Sequence, residues 1–303
     1  MSSLTIFTPT YNRAHTLLRT YQSLCRQTCR AFEWLVIDDG STDNTSALVH
    51  SWIAGNRIPI RYIYQPNGGL YTGYNTAYLN IDSELCICID SDDFMPDDAV
   101  EKILRYWQER GSDQYAGLMG LDFQLDNTPI GGYFPQGLHE AWFMDLYTKK
   151  IHLGDTKPVL RTALMRQVAP MIGFPGEKNF NPVYMMIQVC DQYPLLLLNE
   201  NLCYVDYQSA TDSMSAGIWQ QYMNSPRSFQ KQRILELQLV HNTWLNRARV
   251  AVHYVASSII ARDLLWLQHS PRKLLTFLAA PYGLLLYCLI RIQVGIKSRS
   301  SRG

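Results

Sequence analysis

Three short stretches of this chain carry side chains that could do chemistry together: Thr8-Pro9-Thr10-Tyr11-Asn12, Asp38-Asp39-Gly40-Ser41 and Asp90-Ser91-Asp92-Asp93. Carboxylates crowded at one place repel one another unless a cation is present. Hard oxygen donors of this kind suit Mg²⁺ or Mn²⁺, ions usually shared with substrate phosphates. Taken singly, each stretch has a plainer reading. Asp38-Asp39-Gly40 is also a turn, with Ser41 and Asp43 as helix-capping residues, and Asp90-Ser91-Asp92 is also a turn. A Gly68-Gly69 pair is more often a turn than a phosphate cradle. Their order and spacing together point to one shared site.

The elements needed to bring these stretches together are legible. Apolar runs at 4–9, 33–37, 60–64 and 85–89 predict strands. Helices are predicted at 14–26, with Leu17, Leu18, Tyr21, Leu24 and Cys25 on one face, from Asp43 or Asn44 through Trp52, at 71–80, and around Val100, Ile103, Leu104 and Trp107. Strand and helix alternating at this spacing predict a Rossmann-like, doubly wound, mostly parallel α/β sheet, with 85–89 as a central strand. Such sheets bind ligands beyond the carboxyl ends of their strands, where the acidic stretches fall.

The length of 303 residues allows one large domain or two modest ones, with ample material for a core. The net charge is 27 − 26 = +1, which offers no electrostatic case for nucleic acid as a partner. A 47% hydrophobic and 17% charged composition argues against disorder. Seven cysteines make no disulfide framework at this length. Cys25 and Cys29 have no second pair at metal-ligand spacing, so zinc is not expected. The first residues already read as a strand and lack a basic, cleavable leader, so the expected location is the cytoplasm.

TPTYNR (8–13), then Gln27-Thr28, FEWLVIDDGSTDNT (32–45), NGG (67–69) and CIDSDD followed by Met95-Pro96-Asp97 together resemble the family-2 glycosyltransferases of the GT-A fold, capsule and exopolysaccharide type. The likeness covers about residues 4–110. It implies an inverting, metal-dependent transfer of a sugar from a nucleotide-sugar, UDP-linked by expectation, to a lipid-linked or growing cell-surface polysaccharide. It further implies that Pro9, Tyr11 and Asp39 hold the nucleotide base, that Asn75 belongs to the donor site, that Asp92 ligates Mn²⁺ or Mg²⁺ on the donor diphosphate, and that Asp90 supports the ribose or the metal. Asp93 takes either role or orients the loop. The chain departs from the family at GGLYTGYN (68–75), where many relatives carry basic residues, and this shifts weight onto the metal.

Residues 111–215 read as the acceptor half of the same domain, with β-like runs at 116–123, 130–134 and 202–207 and a helix from Pro182 to about Cys190. An inverting transfer needs one carboxylate to accept the acceptor's proton. The resemblance points to Glu177, with Asp191 and Asp155 as rivals, each of which is otherwise a surface charge or a cap. Asp206-Tyr207 and Asp212-Ser213-Met214-Ser215 resemble a closing loop, or are an ordinary polar one. His139, His152 and His241 lack ligand spacing and are expected to be structural.

Residues 216–303 read as a helical extension, with one helix over 246–268. The run 274–290 carries no charge, is interrupted by Pro281 and Gly283, and is flanked by Arg272, Lys273, Arg291, Lys297, Arg299 and Arg302. A span needs about 20 apolar residues, so an interfacial hairpin or amphipathic anchor on the inner face of the cell membrane is the expectation, with a buried C-terminal helix as the alternative. Two other function classes are weighed: a nucleotidyltransferase, for which the first strand should end in a Gly-rich basic loop, and a non-catalytic carbohydrate-binding protein with a decayed site.

Overall fold

The computed structural model describes residues 3–206 and 217–300. Contacts divide the chain into two compact units, residues 1–171 with 185–206, and residues 172–184 with 207–303.

The first unit is built on one eight-stranded sheet of order β3-β2-β1-β4-β7-β5-β8-β6. Its strands are β1 (Leu4–Thr10), β2 (Phe32–Asp38), β3 (Ile60–Tyr64), β4 (Leu85–Cys88), β5 (Gly117–Phe123), β6 (Glu140–Ala141), β7 (Thr156–Arg161) and β8 (Leu195–Tyr204). β3, β2, β1 and β4 run parallel, β7 is antiparallel to both β4 and β5, and β8 is parallel to β5. The expected doubly wound, mostly parallel sheet is what forms. Every residue of β1 and of β5 is buried, so neither strand shows the alternation of a half-exposed sheet.

The intervening helices are α1 (Ala14–Cys25), α2 (Thr45–Gly55), α3 (Leu70–Asn80) and α4 (Ala99–Arg110). The core beneath them holds stacked rings, with Tyr21 and Trp52 centroids 4.3 Å apart and Trp34 beside both. Trp34 is buried whole because its Nε1–H finds Thr8 Oγ1 at 3.0 Å.

Three local expectations are corrected. Leu18 of α1 points outward, while Thr20 and Ser23 are buried in the face assigned to apolar residues. The run 130–134 makes no strand, because Gly131 and Gly132 turn the chain at φ of 78° and 88°. β8 begins at Leu195, ahead of the predicted 202–207, since Leu195 to Leu198 form its buried half. After β6 come α5 (Phe143–Thr148), α6 (Thr162–Val168) after β7, and α7 (Val183–Cys190) before β8.

The second unit is helical: α8 (Ile218–Asn224), α9 (Pro226–Gln238), α10 (Trp244–Ile260), α11 (Trp266–His269) and α12 (Lys273–Ser300). The single helix expected over 246–268 breaks after Ile260, where Arg262 takes φ of 56° and Asp263 Oδ1 accepts from Leu265 N. The expected hairpin does not form. α12 runs unbroken through Pro281, whose ring lies on the exposed side. α12 packs on α10 through Ala279 and Gly283, and a Cβ at Gly283 would lie 2.4 Å from Val255 Cβ, so only glycine permits this approach.

Candidate active site

Because β2, β1 and β4 are adjacent and parallel, their carboxyl ends share one edge of the sheet. That edge collects Pro9, Tyr11, Asp39, Asp90 and Asp92. Pro9 is tolerated in a central strand because β4 stops pairing at Phe7, so its missing N–H leaves no ladder bond unmade on that side. Tyr11 beyond it is 48% exposed. Asn12, at φ of 54°, ties the β1 end to the β2 end: its Oδ1 accepts from Thr42 N at 2.7 Å and Asp43 N at 3.2 Å. Its own N–H donates to Ser41 Oγ at 2.9 Å.

The two aspartates after β2 have different tasks. Asp38 is fully buried and accepts from Ser41 N at 2.7 Å and from Tyr62 Oη at 2.6 Å. Burial and then that bond to Asp38 push the Tyr62 phenol up to about 12. Asp39 faces the loop after β3, where its carboxylate accepts from Gln65 Nε2, Gly68 N, Gly69 N and Thr72 Oγ1 at 2.7 to 3.2 Å. Gly40, at φ of 85°, turns under Asn67, whose N would be 2.8 Å from an added Cβ. Gly68-Gly69 is therefore held open by Asp39.

After β4 the chain makes a tight acidic turn, closed by Asp93 N donating to Asp90 O at 3.1 Å. Asp90 is exposed and Asp92 half-buried, while Asp93 turns inward and is 6% exposed. Buried polar residues of α1 and Gln27 just beyond it anchor this turn. Thr20 Oγ1 donates to Asp93 O at 2.7 Å, Met95 N donates to Ser23 Oγ at 3.2 Å, and Gln27 bridges Pro96 O and Val100 N. Sequence reasoning missed these residues because an amphipathic template ranks Thr and Ser as surface.

It also missed Lys157 and Asp122. Both are buried, and Lys157 Nζ lies 3.5 Å from Asp93 and 3.6 Å from Asp122. Burial pushes the Asp93 carboxyl up to about 7, with Lys157 opposing and Asp90 adding to the rise. Burial likewise takes Asp122 to about 6 against the pull of Lys157. Lys157 itself stays charged: burial works against it, but Asp122 and Asp93 hold its ammonium well above the usual range. The available signal was a lone acid in an apolar strand (GLMGLDF) and a lysine near the start of another, whose second base, Arg161, closes it (TKPVLR).

A divalent ion shared with a diphosphate takes one or two protein carboxylates and completes its shell with phosphate oxygens and water. Among the described residues no group of three or more His, Cys, Asp or Glu forms an all-protein cage. With Asp93 committed inward, Asp90 and Asp92 are the two carboxylates of the turn that reach solvent, a donor set that fits such a shared ion.

The remaining site candidates differ in their surroundings. The Asn75 side chain pairs with the Met171 backbone, donating to its O and accepting from its N, each at 2.9 Å. Asp155 is exposed just before β7, which runs antiparallel to β4 and so begins at the edge of the acidic turn, and its charge adds to the rise in the Asp122 pKa. Asp191 follows α7 and precedes β8, which enters the sheet opposite the first residue of β5. Since β5 runs with β4, Asp191 is at the opposite edge from the acidic turn, a consequence of the crossover direction that residue spacing does not reveal. Glu177 belongs to the second unit, where its carboxylate accepts from Arg227 N, Ser228 N and Ser228 Oγ at 2.7 to 3.1 Å and so caps the start of α9. His152 is buried against Phe134, in keeping with a structural role. The closing-loop residues Tyr207 and Asp212 to Ser215 lie outside the described residues, as does Arg302.

Comparison with known proteins bears on this edge. The model of Glycosyl transferase family 2 matches residues 5–161, just over half of the chain. Chondroitin synthase from Pasteurella multocida (strain Pm70) is 34% identical over 102 residues, which are 34% of this chain and 10% of that enzyme. The chain thus spans about a tenth of that relative's length. Staphylococcus aureus TarS 1-349 in complex with UDP-GlcNAc superimposes with a TM-score of 0.65 over 97% of this chain and 92% of that one, at 15% identity. Mannosyltransferase PcManGT from Pyrobaculum calidifontis, in complex with GDP-Man and Mn²⁺, gives a TM-score of 0.54 over 98% and 84%, at 14% identity. Likeness at such low identity shows the shared fold.

Proposed function

The chain belongs to glycosyl transferase family 2 and has the GT-A fold, and from that premise we propose that it is a metal-dependent, inverting enzyme that moves a sugar from a UDP-sugar to a lipid-linked or growing surface polysaccharide. The observation that carries this reading is the convergence of the β1, β2 and β4 ends on one edge, with Asp90 and Asp92 left facing solvent.

In this reading Pro9, Tyr11 and Asp39 bind the nucleotide. Asp39 does so through the loop it holds, since Gly68 and Gly69 are fixed by its carboxylate before any ligand arrives. A preformed loop spares the ordering cost at the moment of binding. Asn75 serves the donor site by fixing the chain at Met171. Asp92, supported by Asp90, would hold the divalent ion. Such an ion supplies charge stabilisation to the departing nucleoside diphosphate. The segment 70–75 after Gly69 carries no cationic side chain to share that task. The proposed base is Glu177, held by the first turn of α9, with Asp191 as the rival.

The partner surface proposed for α12 is the membrane. Its segment Lys273–Gly295 is long and apolar enough to cross one, with mean hydropathy of 1.7 and 22% buried. Leu274, Phe277, Leu278, Tyr282, Leu285 and Leu289 are exposed, opposite the face that Ala279, Gly283 and Ile290 turn inward. Exposed Arg272, Lys273 and Arg291 flank the stripe, which suits an anionic leaflet on the cytoplasmic side.

The test is sugar release and transfer by the full chain across a panel of UDP- and GDP-sugars, with Mn²⁺ and with a chelator. One UDP-sugar turned over only with the metal is the expected result. Turnover unaffected by chelation, or none with any donor, overturns it.

A further inference from the structure

Lys157 has a task that sugar transfer does not by itself require. Its ammonium is buried between Asp93 and Asp122, at 3.5 and 3.6 Å, both longer than a good hydrogen bond. Asp122 Oδ1 has no hydrogen-bond partner at all. The strand register produces this arrangement. Lys157 pairs with Gly120, two residues before Asp122 and on the same face of β5. On its other side β7 runs against β4, with Val159 opposite Ile87, so Lys157 reaches the level of Ile89 and the start of the acidic turn. A buried ion cluster of this kind costs more desolvation than an apolar replacement would.

We propose that Lys157 is a positioning residue, a resident cation that holds Asp93 inward and leaves Asp90 and Asp92 to take a single divalent ion. This rests on the metal reading above. With all groups ionised, Asp90, Asp92, Asp93 and Asp122 against Lys157 give a formal charge of −4 + 1 = −3. Without Lys157 the inner pair becomes a second place for a cation. The lysine thus keeps the turn assembled when neither metal nor nucleotide is bound, and makes metal uptake depend on the donor's phosphates.

Mn²⁺ binding to the full chain, followed by electron paramagnetic resonance with and without UDP, and thermal unfolding under the same conditions test this. The wild type should take up one Mn²⁺ only when UDP is present, and Mn²⁺ alone should not move its Tm. Lys157→Met should unfold at lower temperature, show Mn²⁺ uptake without UDP where the wild type shows none, bind Mn²⁺ with UDP roughly five- to tenfold more tightly than the wild type, the effect of one charge at this range, and regain part of its Tm in Mn²⁺. Lys157→Met with Asp122→Asn restores the formal −3 and should abolish both changes. If Lys157→Met does not fold, Asp122→Asn alone carries the test, and its Mn²⁺ affinity with UDP should fall by a similar factor. A folded Lys157→Met with unaltered Mn²⁺ binding, or an unaltered Asp122→Asn, leaves Lys157 as packing and overturns the inference. A wild type that takes up no Mn²⁺ even with UDP overturns the metal reading instead.

Discussion

Asp39, in the first unit, is 5% exposed and accepts four hydrogen bonds, while α12, in the second, leaves Leu274, Leu278 and Tyr282 each more than 60% exposed. The strand-end edge is a polar surface whose groups are already tied to one another. The helix face is an apolar surface whose contacts are unmade. Polar groups of the edge are satisfied across it, because parallel pairing of β2 and β3 sets the loop after one strand beside the loop after the other, and the donors to Asp39 come from Gln65, Gly68, Gly69 and Thr72. An apolar face has no such solution and calls for a second phase or a partner.

The two units also differ in the sign of their buried titrations. Asp93 and Asp122 in the first are raised to about 7 and about 6, so their folded forms hold protons that the unfolded chain has released, which favours the fold as pH falls. In the second, His253 is lowered to about 4, by burial first and then by Arg233 and Arg249, while its Nδ1 shares a 2.8 Å hydrogen bond with Tyr222 Oη. The unfolded chain binds a proton there that the folded one refuses, so this contribution is present above about 6.5 and is lost as pH falls towards 4.

The contrast can be broken at several points. The largest effect is expected at the solvent-facing acid of the polar edge: Asp92→Asn should lower transfer by about three orders of magnitude or more, with an unchanged circular dichroism spectrum. Wild-type turnover by the folded variant removes Asp92 from the metal site.

Glu177→Gln should lower turnover by about two to four orders of magnitude with little change in donor affinity. Because Glu177 also caps α9, the same variant should lose about 1 kcal/mol of stability in urea. A stability loss with unaltered turnover makes Glu177 a cap only. Asp191→Asn showing the kinetic defect instead would identify the base as the rival carboxylate.

The titration contrast is sharpened by His253→Asn. Urea unfolding from pH 7 to pH 4 should show the wild type losing about 3 kcal/mol relative to the variant. The difference between the two profiles cancels Asp93 and Asp122, which both proteins share. Parallel profiles would mean that His253 does not resist protonation.

On the apolar face, Leu278→Glu with Leu285→Glu should weaken sedimentation with anionic vesicles by about a hundredfold or more, since each leucine contributes roughly 1.5 to 3 kcal/mol on full burial. Substitution is preferred to truncation after Ser270, because removing α12 would uncover Val255 and Tyr254 of α10. Full-length protein that ignores vesicles would assign this face to another partner.

The smallest effect is expected at Asp39→Asn, which keeps one acceptor oxygen for Gly68 and Gly69 and places an amide against the other N–H. A loss of about 1 to 3 kcal/mol in urea, from the donor left unpaired, is the expected outcome. A loss below this range would mean that the loop holds itself.

Much of this protein was determined by its sequence, and in one particular way. The runs that became β1, β2, β3 and β4, and the turn chemistry after each, declare themselves because apolar strands and Gly- or Asp-rich turns are local properties of the chain. Parallel pairing then carries Pro9, Tyr11, Asp39, Asp90 and Asp92 to one edge with no further information. The tertiary structure alone decided what depends on partners distant in sequence. Lys157 meets Asp93 across 64 positions, and β7 turns antiparallel to place it there. Thr20 and Ser23 are buried because a loop some seventy residues away needs their hydroxyls. Asp191 falls at the far edge through the direction of β8, and Glu177 becomes a cap because α9 begins beside it. Residue type and spacing carry periodicity and local hydrogen bonding. They do not carry which buried charge finds which counter-charge, since that pairing is set by register between strands and by the desolvation it must offset.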